Sequence, residues 1–456
     1  MSSAIRKAET VLSLGTMHTG QVNAYKVLRP CRFKALRCGR RFGKTDFAKM
    51  WTSQGLVQGE ECAWFAPQHR TWSEVYQELA HTLMPILDTS SRGSAVMRFK
   101  TGGRLDFWTL ENPMAGRGRR YHRIVIDEAA FAKDGDNKTD GSMMEMWEKA
   151  MKPTLYDYGG QVLVCSNSAG KNSDNFFYNI CIDPQYGFTE YLGTTLDNPT
   201  LPKRFPDEPI GIWLERRERE LADLKNRNDP LVYAQEYLAE FVDWAGVGFF
   251  SPDKWMVNSM PVVAPQRCDA VFAVIDTAIK TGYEHDGTAV VFYAIDNTNP
   301  NWKLTILDWD IQKIEGALLE RWLPSVYQLL EHFSKQCGAR RGALGVFIED
   351  KGSGTVLLQQ ARNRGWLAHG IDTALTSMGK DERALSVSSY HYRGWCKISE
   401  TAFNKVTTYN RRTMNHFTEQ VNSFRMADKD ASKREDDLTD AYIYGLSISL
   451  GNAEGF

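Results

Sequence analysis

The chain is 456 residues long, 42% hydrophobic and 12% aromatic, with 55 Lys and Arg against 56 Asp and Glu for a net charge of −1. At roughly 100–200 residues per domain, this length predicts two to four domains, with ample apolar material for more than one core. The composition excludes a disordered chain and a uniformly basic nucleic-acid coat, but not local basic patches.

No apolar run approaches the roughly 18 residues that span a bilayer. The N-terminal stretch MSSAIRKAETVLSLG has no apolar signal core. The expectation is a soluble intracellular protein without a membrane partner. Its eight cysteines are scattered and none forms a CxxC pair, so reduced, mostly buried thiols are expected rather than a disulfide framework or a zinc ribbon. The nine histidines show no HxxxH or HExxH pairing and are assigned no metal.

In chain order, FKALRCG (33–39), ECAWFAP (61–67), RLDFWTL (104–110), RIVIDEA (123–129) and QVLVCSN (161–167) read as strands. TDFAKMWTSQGLV (45–57) and TWSEVYQELAHTLM (71–84) read as helices between them. Such alternation predicts a mainly parallel sheet with helices on both faces. The texture changes at about 197: DNPTLPKRFPDEP is turn-rich, IWLERRERELADLKNRND is a charged helix, and PLVYAQEYLAEFVDW is an amphipathic one. From about 269, DAVFAVIDTA, GTAVVFYAID and WKLTILDWDI predict an antiparallel meander, followed by the buried strand ALGVFIEDKG (343–352) and a final helix in DDLTDAYIYGLSISLG. This order resembles that of a ribonuclease-H-type fold.

Gly39-Arg40-Arg41-Phe42-Gly43-Lys44-Thr45 follows the first strand and opens a helix. A loop so placed turns backbone N–H groups toward phosphate at the positive end of the helix. Lys44 would reach the β- and γ-phosphates, and the Thr45 hydroxyl would ligate Mg²⁺. Cys38 occupies the position where G-x4-G-K-[ST] has its first glycine. The strand Arg123–Asp127 ends in the Walker B pattern Asp127-Glu128. There Asp127 would hold Mg²⁺ through its water shell, and Glu128 would orient or deprotonate the attacking water. Together the two halves predict an ATPase. Arg117, Arg119, Arg120 and Arg123 crowd the segment before Walker B. They read either as a solvated or DNA-facing basic stretch or as the source of a finger acting in trans, with Arg117 or Arg119 favoured.

Carboxylates recur at strand ends in the second half: Asp276, Glu349 and Asp350, and Asp436, Asp437 and Asp440 at the start of the last helix. Two Mg²⁺ ions about 4 Å apart need such acids converging from separate elements, and oxygen-only donors suit Mg²⁺ or Mn²⁺. Asp440, three residues after Asp437, shares its helix face. Asp286 reads as a weaker ligand or a turn acid, and Lys351 as a phosphate contact or part of an ordinary turn. Residues 377–386 are a candidate mobile loop. Lys397, Lys405, Arg411, Arg412, Arg425, Lys429, Lys433 and Arg434 form a candidate DNA track or a solvated surface.

These motifs, in this order, resemble the large terminase subunit of tailed bacteriophages, the motor that packages DNA into a procapsid, over most of the chain. His18-Thr19-Gly20-Gln21 lies at about the spacing of that family's adenine-sensing motif, which implicates Gln21. Gly39 to Thr45 fits the family's GRRxGKT loop, which brings Arg40, Arg41 and Gly43 into the nucleotide site. Cys165 to Ser168 falls where the family keeps a coupling motif, and Thr194 to Pro199 and Gln235 to Phe241 look like signatures near a lid. The resemblance favours Asp276, Glu349 and Asp437 as core metal ligands. It implies an N-terminal P-loop (ASCE, RecA-like) ATPase over 1–196, a helical lid and linker over 197–255 and a ribonuclease-H-like nuclease over 256–456. It further implies ATP-driven translocation of double-stranded DNA and metal-dependent cutting of concatemeric DNA. The implied partners are a portal protein, a small terminase subunit and further copies of the chain, as a pentamer on the procapsid and a monomer in solution, in the host cell cytoplasm. The rival readings are a helicase-like or repair ATPase whose second domain only binds nucleic acid, and a nucleotide-dependent kinase of small molecules.

Overall fold

The computed structural model describes residues 12, 14–132, 142–277, 287–313, 319–350, 352–426, 428 and 434–451. The chain folds into two compact units, one of residues 1–223 with 230–243, the other of 224–229 with 244–456. Asp286, Lys351, Lys429 and Lys433 lie outside the described residues.

The first unit runs α1 (Thr19–Leu28), β1 (Phe33–Cys38), α2 (Lys44–Val57), β2 (Glu61–Ala66), α3 (His69–Thr82), β3 (Leu87–Ser91), β4 (Val96–Phe99), β5 (Arg104–Thr109) and β6 (Arg123–Asp127). It continues with α4 (Met143–Met146), β7 (Gln161–Ser166), α5 (Phe176–Ile182), β8 (Thr189–Gly193), α6 (Ile210–Asn226), whose last turn enters the second unit, and α7 (Pro230–Glu236). Its sheet has the order β3-β4-β5-β2-β6-β7-β1-β8. The six strands from β5 to β8 pair in parallel, and the β3–β4 hairpin adds an antiparallel edge. Alternation of side chains along each strand feeds two separate cores. Leu36, Trp64, Val125 and Leu163 face Phe47, Trp51 and Leu79 of α2 and α3. Ala35, Phe65, Ile124, Ile126 and Val164 face Met146, Trp147 and Phe177. Strand β7 therefore stands between β1 and β6 and sets the ends of those two strands one strand apart.

The second unit runs β9 (Ala270–Asp276), β10 (Thr288–Ile295), β11 (Leu304–Gln312), α8 (Leu319–Gln336), β12 (Ala343–Ile348), α9 (Ser353–Asn363), β13 (Ala368–Gly370), α10 (Thr373–Thr376), α11 (Lys380–Tyr392), β14 (Cys396–Ile398), α12 (Glu400–Asn404), β15 (Thr407–Tyr409), β16 (Arg412–Met414), α13 (His416–Ser423) and α14 (Asp437–Leu450). Its sheet has the order β13-β12-β9-β10-β11-β14. Strands β9, β10 and β11 are an antiparallel meander, and β12 joins β9 in parallel. This is the ribonuclease-H-type order that the sequence predicts. Val271, Ala273, Ile275 and Phe292 pack on one face against Leu323, Val326 and Leu330 of α8. On the other face lies α14, buried on nearly all sides, as its continuous apolar composition requires.

Three elements differ from the sequence reading. The amphipathic segment after Pro230 is helical only to Glu236. There the backbone is taken over by tertiary partners: Thr195 donates its N–H to the Tyr237 carbonyl at 2.8 Å, Arg37 binds the Ala239 carbonyl, and Ala239 adopts φ 57°. Residues 380–392, within and beyond the candidate mobile loop, are α11, whose first turn carries Asp381 and Glu382, the charge sign that a helix N-terminus favours. The hairpin β3–β4, exposed over most of β3, has too weak an alternation to be read in advance. All eight cysteines are unpaired, and six of them are buried. Among the described residues no helix is long and apolar enough to cross a membrane.

Candidate functional site

In the first unit, residues 39–43 turn from the C-terminal end of β1 into α2. Arg41 at φ 65° and Gly43 at φ 93° take left-handed conformations there, which fold the loop back on itself and open the helix at Lys44. Gly39 is required by contact: a Cβ there would lie 2.2 Å from the Tyr237 carbonyl oxygen. The loop is held from outside. Thr195 donates its hydroxyl to the Arg40 carbonyl at 2.5 Å, and Asn198 its amide to the Arg41 carbonyl at 2.8 Å. The Arg40 N–H donates to the Glu236 carbonyl at 2.8 Å, and its guanidinium pairs with the buried Glu236 carboxylate. The segments 194–199 and 235–241 thus act as a brace on the loop.

Gln21 is buried and spent on the same loop. Its amide N–H donates to the Gly43 carbonyl at 2.9 Å, and its oxygen accepts from the His18 N–H at 3.1 Å as part of the α1 capping box. His18 meets the Phe42 carbonyl at 2.7 Å through Nε2.

Lys44 is buried, bonds the Asn167 side-chain oxygen and stands 3.7 Å from Glu128. Thr45 hydrogen-bonds Asp127. Burial pushes the Asp127 carboxyl above the usual range, as does the neighbouring Glu128 charge, while Lys44 and Thr45 pull it back. Glu128 stands just beyond β6 at φ 51°, with Ser166 3.4 Å from its carboxylate. Ser166 also accepts the Ala130 N–H at 3.1 Å. The predicted residues Gly39, Arg40, Arg41, Gly43, Lys44, Thr45, Asp127 and Glu128 are therefore gathered at the ends of β1 and β6. Asn167 and Ser166, at the end of the strand between them, were legible only as a vague coupling motif; no spacing rule ties an Asn to a lysine more than a hundred residues away.

The arginines before β6 divide. Arg123 is structural: it pairs with Glu60 at 2.5 Å, donates to the Trp51 carbonyl at 2.6 Å and lies over that indole. Arg119 and Arg120 are exposed and meet Asp106 and Asp157 only at 3.8 and 3.6 Å, and the exposed Arg117 touches Met114 Sδ. Their loop is anchored by the Tyr121 hydroxyl, which donates to the buried Asp106 at 2.8 Å.

In the second unit, Asp276 ends β9, Glu349 follows β12, and Asp437 and Asp440 sit in the first turn of α14. All four converge. Burial drives the Asp276 carboxyl well above its ordinary range, helped by the charges of Asp440, Asp437 and Glu349. Burial and then Asp436 push Asp437 up to about 7, opposed by the Gly287 N–H. Tyr444, two turns into α14, donates its hydroxyl to Glu349 at 3.3 Å. Opposite the acids stands α11. Lys380 pairs with Asp436 and, at 3.1 Å, with Asp440; Arg383 reaches Asp440 at 3.1 Å and covers the Tyr444 ring. Lys380, Arg383 and Tyr444 were not singled out in the sequence; their signal was the Lys-x-x-Arg spacing that puts two cations on one helix face. Asp350 accepts the Thr355 hydroxyl at 2.8 Å. Among the described residues, no group of three or more His, Cys, Asp or Glu side chains is placed to hold a metal ion. The four side chains are all oxygen donors, the donor class that a hard divalent cation takes.

Five of the candidate DNA-track cations already have partners. Lys397 donates to the Lys254 and Met256 carbonyls at 2.8 and 2.9 Å, and Lys405 pairs with Asp308 at 2.8 Å. Arg412 meets Glu419 at 3.4 Å, Arg425 donates to the Asn422 carbonyl at 2.5 Å, and Arg434 pairs with Asp428 at 3.0 Å. Arg411 sits at φ 63° in the turn between β15 and β16.

No protein-family model and no curated protein sequence matches the chain. Among solved structures, the fold is similar to that of the large terminase from a thermophilic bacteriophage, with a TM-score of 0.65 at 11% identity over 95% of this chain and 99% of that one. The same terminase in complex with ADP gives 0.65 at 12% identity over 96% and 100%. In complex with ATP-gamma-S it gives 0.62 at 12% over 95% and 99%. The expected fold, a P-loop-type parallel sheet followed by a ribonuclease-H-like sheet, is thus that of a large terminase along nearly the whole chain.

Proposed function

We propose that the chain is a large terminase subunit: an ATPase that drives double-stranded DNA into a procapsid and a metal-dependent endonuclease that cuts concatemeric DNA at the start and end of packaging. The observation that carries the reading is the pairing of two sites on one chain, each at the C-terminal ends of parallel strands. One gathers a phosphate-type loop, Lys44 and Asp127-Glu128; the other gathers four carboxylates.

In the first site the loop amides and Lys44 bind the β- and γ-phosphates of ATP, and the brace of Thr195, Asn198 and Glu236 keeps the loop in register. Glu128 orients and deprotonates the attacking water. Asn167 positions the Lys44 ammonium. Gln21 contributes through the loop rather than by a free amide edge. Thr45 and Asp127 would hold Mg²⁺ here, and Asp276, Glu349 and Asp437, beside Asp440, would be the core ligands for Mg²⁺ or Mn²⁺ in the second site. An ion bound there would neutralise phosphate charge and lower the pKa of water. Glu349 is oriented for that task by Tyr444. The complexes of the similar terminase with ADP and ATP-gamma-S support the nucleotide assignment.

The working assembly is a ring of copies, a pentamer, on a portal protein, with a small terminase subunit selecting the DNA, in the host cell cytoplasm. Arg117 or Arg119 is the finger offered to a neighbour. The test uses the full chain in two assays, ATP turnover with and without duplex DNA, and plasmid nicking with Mg²⁺ or Mn²⁺. Lys44→Ala and Glu128→Ala should each cut turnover by roughly a hundredfold or more while nicking persists. Asp276→Ala and Asp437→Ala should do the reverse. A chain that hydrolyses ATP under DNA stimulation yet never nicks with either metal would instead be a translocase whose second unit only binds DNA.

A further inference from the structure

Lys405, Arg412 and Arg434 of the second unit sit on carboxylates; the cations at the end of α11 are held differently. The turn that joins α11 to β14 carries Arg393 and leads into Lys397. Arg393 lies over the Trp395 ring at 3.6 Å and the Tyr390 ring at 5.7 Å, and those two rings stack at 5.8 Å. Its Nε donates to the Ser389 carbonyl at 3.2 Å, and its terminal nitrogens have no hydrogen-bond or ion-pair partner among the described residues. Lys397 is anchored on the Lys254 and Met256 carbonyls at 2.8 and 2.9 Å. A Cβ at Gly394 would lie 2.7 Å from the Lys397 Nζ, so this ammonium sits against the same turn. Lys254 lies over the Tyr392 ring at 5.0 Å and meets the exposed Asp253 at 3.2 Å. A carbonyl or a ring face fixes a cation without cancelling its charge. Burial first, and then the Arg227 charge, lowers the Arg393 pKa. Burial also lowers that of Lys397, with Lys254 adding to the effect and Cys396 and Asp253 opposing it. The C-terminal end of α11 attracts positive charge and accounts for one cation there, not for three crowded together.

We propose that this turn is a duplex-DNA contact: Arg393 and Lys397, with Lys254 beside them, bind backbone phosphates, held in position by Trp395, Tyr390 and the carbonyls beneath. A guanidinium lying flat on an indole keeps its in-plane N–H groups available, the geometry that takes a pair of phosphate oxygens. Crowding like charges is costly in the free chain. A duplex, with about one charge per 1.7 Å of axis, offers denser countercharge than an acidic peptide extended at roughly 3.3 Å per residue. The inference rests on the DNA-packaging reading and deepens it, by naming a surface that grips duplex without metal or nucleotide.

Anisotropy of a short, labelled, random-sequence duplex, titrated with the full chain in EDTA and without nucleotide over a salt series, tests the contact. Arg393→Gln and Lys397→Gln should each weaken binding by roughly three- to tenfold and lower the slope of log K against log salt by about 1. Arg393→Lys and Lys397→Arg keep the charge and should hold the parent slope, a readout that a merely structural role would not move. ATP turnover without DNA should stay at the parent level in every variant. Melting curves verify the fold, and Arg393→Gln, which loses a single carbonyl bond, carries the test if Lys397→Gln melts early. Unchanged affinity and slope in the folded Gln variants, against a parent that binds duplex, overturns the proposal and leaves the DNA reading standing. A loss as large with polyglutamate as with duplex also overturns it, since the turn would then be a contact for acidic protein. A parent that binds no duplex even at low salt brings down the DNA-directed reading, and this inference with it.

Discussion

Lys44 illustrates how a single side chain depends on a residue far away in sequence. Its ammonium is buried against the Asn167 oxygen, with Glu128 at 3.7 Å. Removing a hydrogen-bond acceptor from a buried charge costs more than an ordinary hydrogen bond. Asn167→Ala should therefore lower kcat/KM for ATP hydrolysis by roughly tenfold, and steady-state kinetics showing less than a twofold change would remove Asn167 from the site. His391 makes a residue-scale prediction of another kind. It is buried, accepts at Nδ1 from the Tyr442 hydroxyl at 2.9 Å and donates from Nε2 to the Ser251 carbonyl at 2.9 Å, and Trp255 donates to the same Tyr442 oxygen at 2.9 Å. Burial lowers its pKa to about 4, so between that value and the unfolded value near 6.5 the unfolded chain binds the extra proton. Stability is then fully present above about pH 6.5 and falls as pH drops toward 4, by up to about 3 kcal/mol. Denaturation of the wild type and His391→Gln at pH 7.5 and 4.5 should show the smaller acid sensitivity in the variant.

At the scale of elements, α14 carries acids at its first turn and is held by what its middle touches. Gly445 lies against Tyr293, where a Cβ would come within 2.4 Å of the ring. That closeness explains a glycine in a helix interior that otherwise disfavours it. Gly445→Ala should cost ~1–3 kcal/mol through overpacking and shift the helix start that positions Asp437. The expected readout is a lower melting transition and weaker nicking with ATP turnover unchanged; an unshifted melt would mean that Tyr293 swings aside. The end of α7 makes the complementary point. Its amphipathic pattern runs on past Glu236, but Thr195 and Arg37 capture the backbone carbonyls that follow, and tertiary bonds win over a propensity worth only tenths of a kcal/mol per residue.

Across the whole molecule, the two proposed chemistries belong to separate sheets with separate cores. Substitutions at one site should therefore combine additively with those at the other. A Lys44→Ala, Asp276→Ala double variant should lose both activities yet melt as the sum of its single variants, and a melt far from additive would contradict independent cores.

What the sequence determined by itself was whatever is local. Short apolar runs marked β1, β2, β5, β6 and β7. The Gly43-Lys44-Thr45 turn marked a phosphate-type loop, and acids at the ends of apolar strands marked Asp276 and Glu349. Such signals survive in one dimension because a strand end or a helix start is defined by a handful of neighbours. The tertiary structure decided which distant groups meet. It put Asn167 on Lys44 by placing β7 between β1 and β6, spent Gln21 on the Gly43 carbonyl, tied up five of the expected DNA-contacting cations, and swung Lys380 and Arg383 over the carboxylates. Charges attract over distance without regard to sequence separation, so their pairing is written in the fold rather than in any motif.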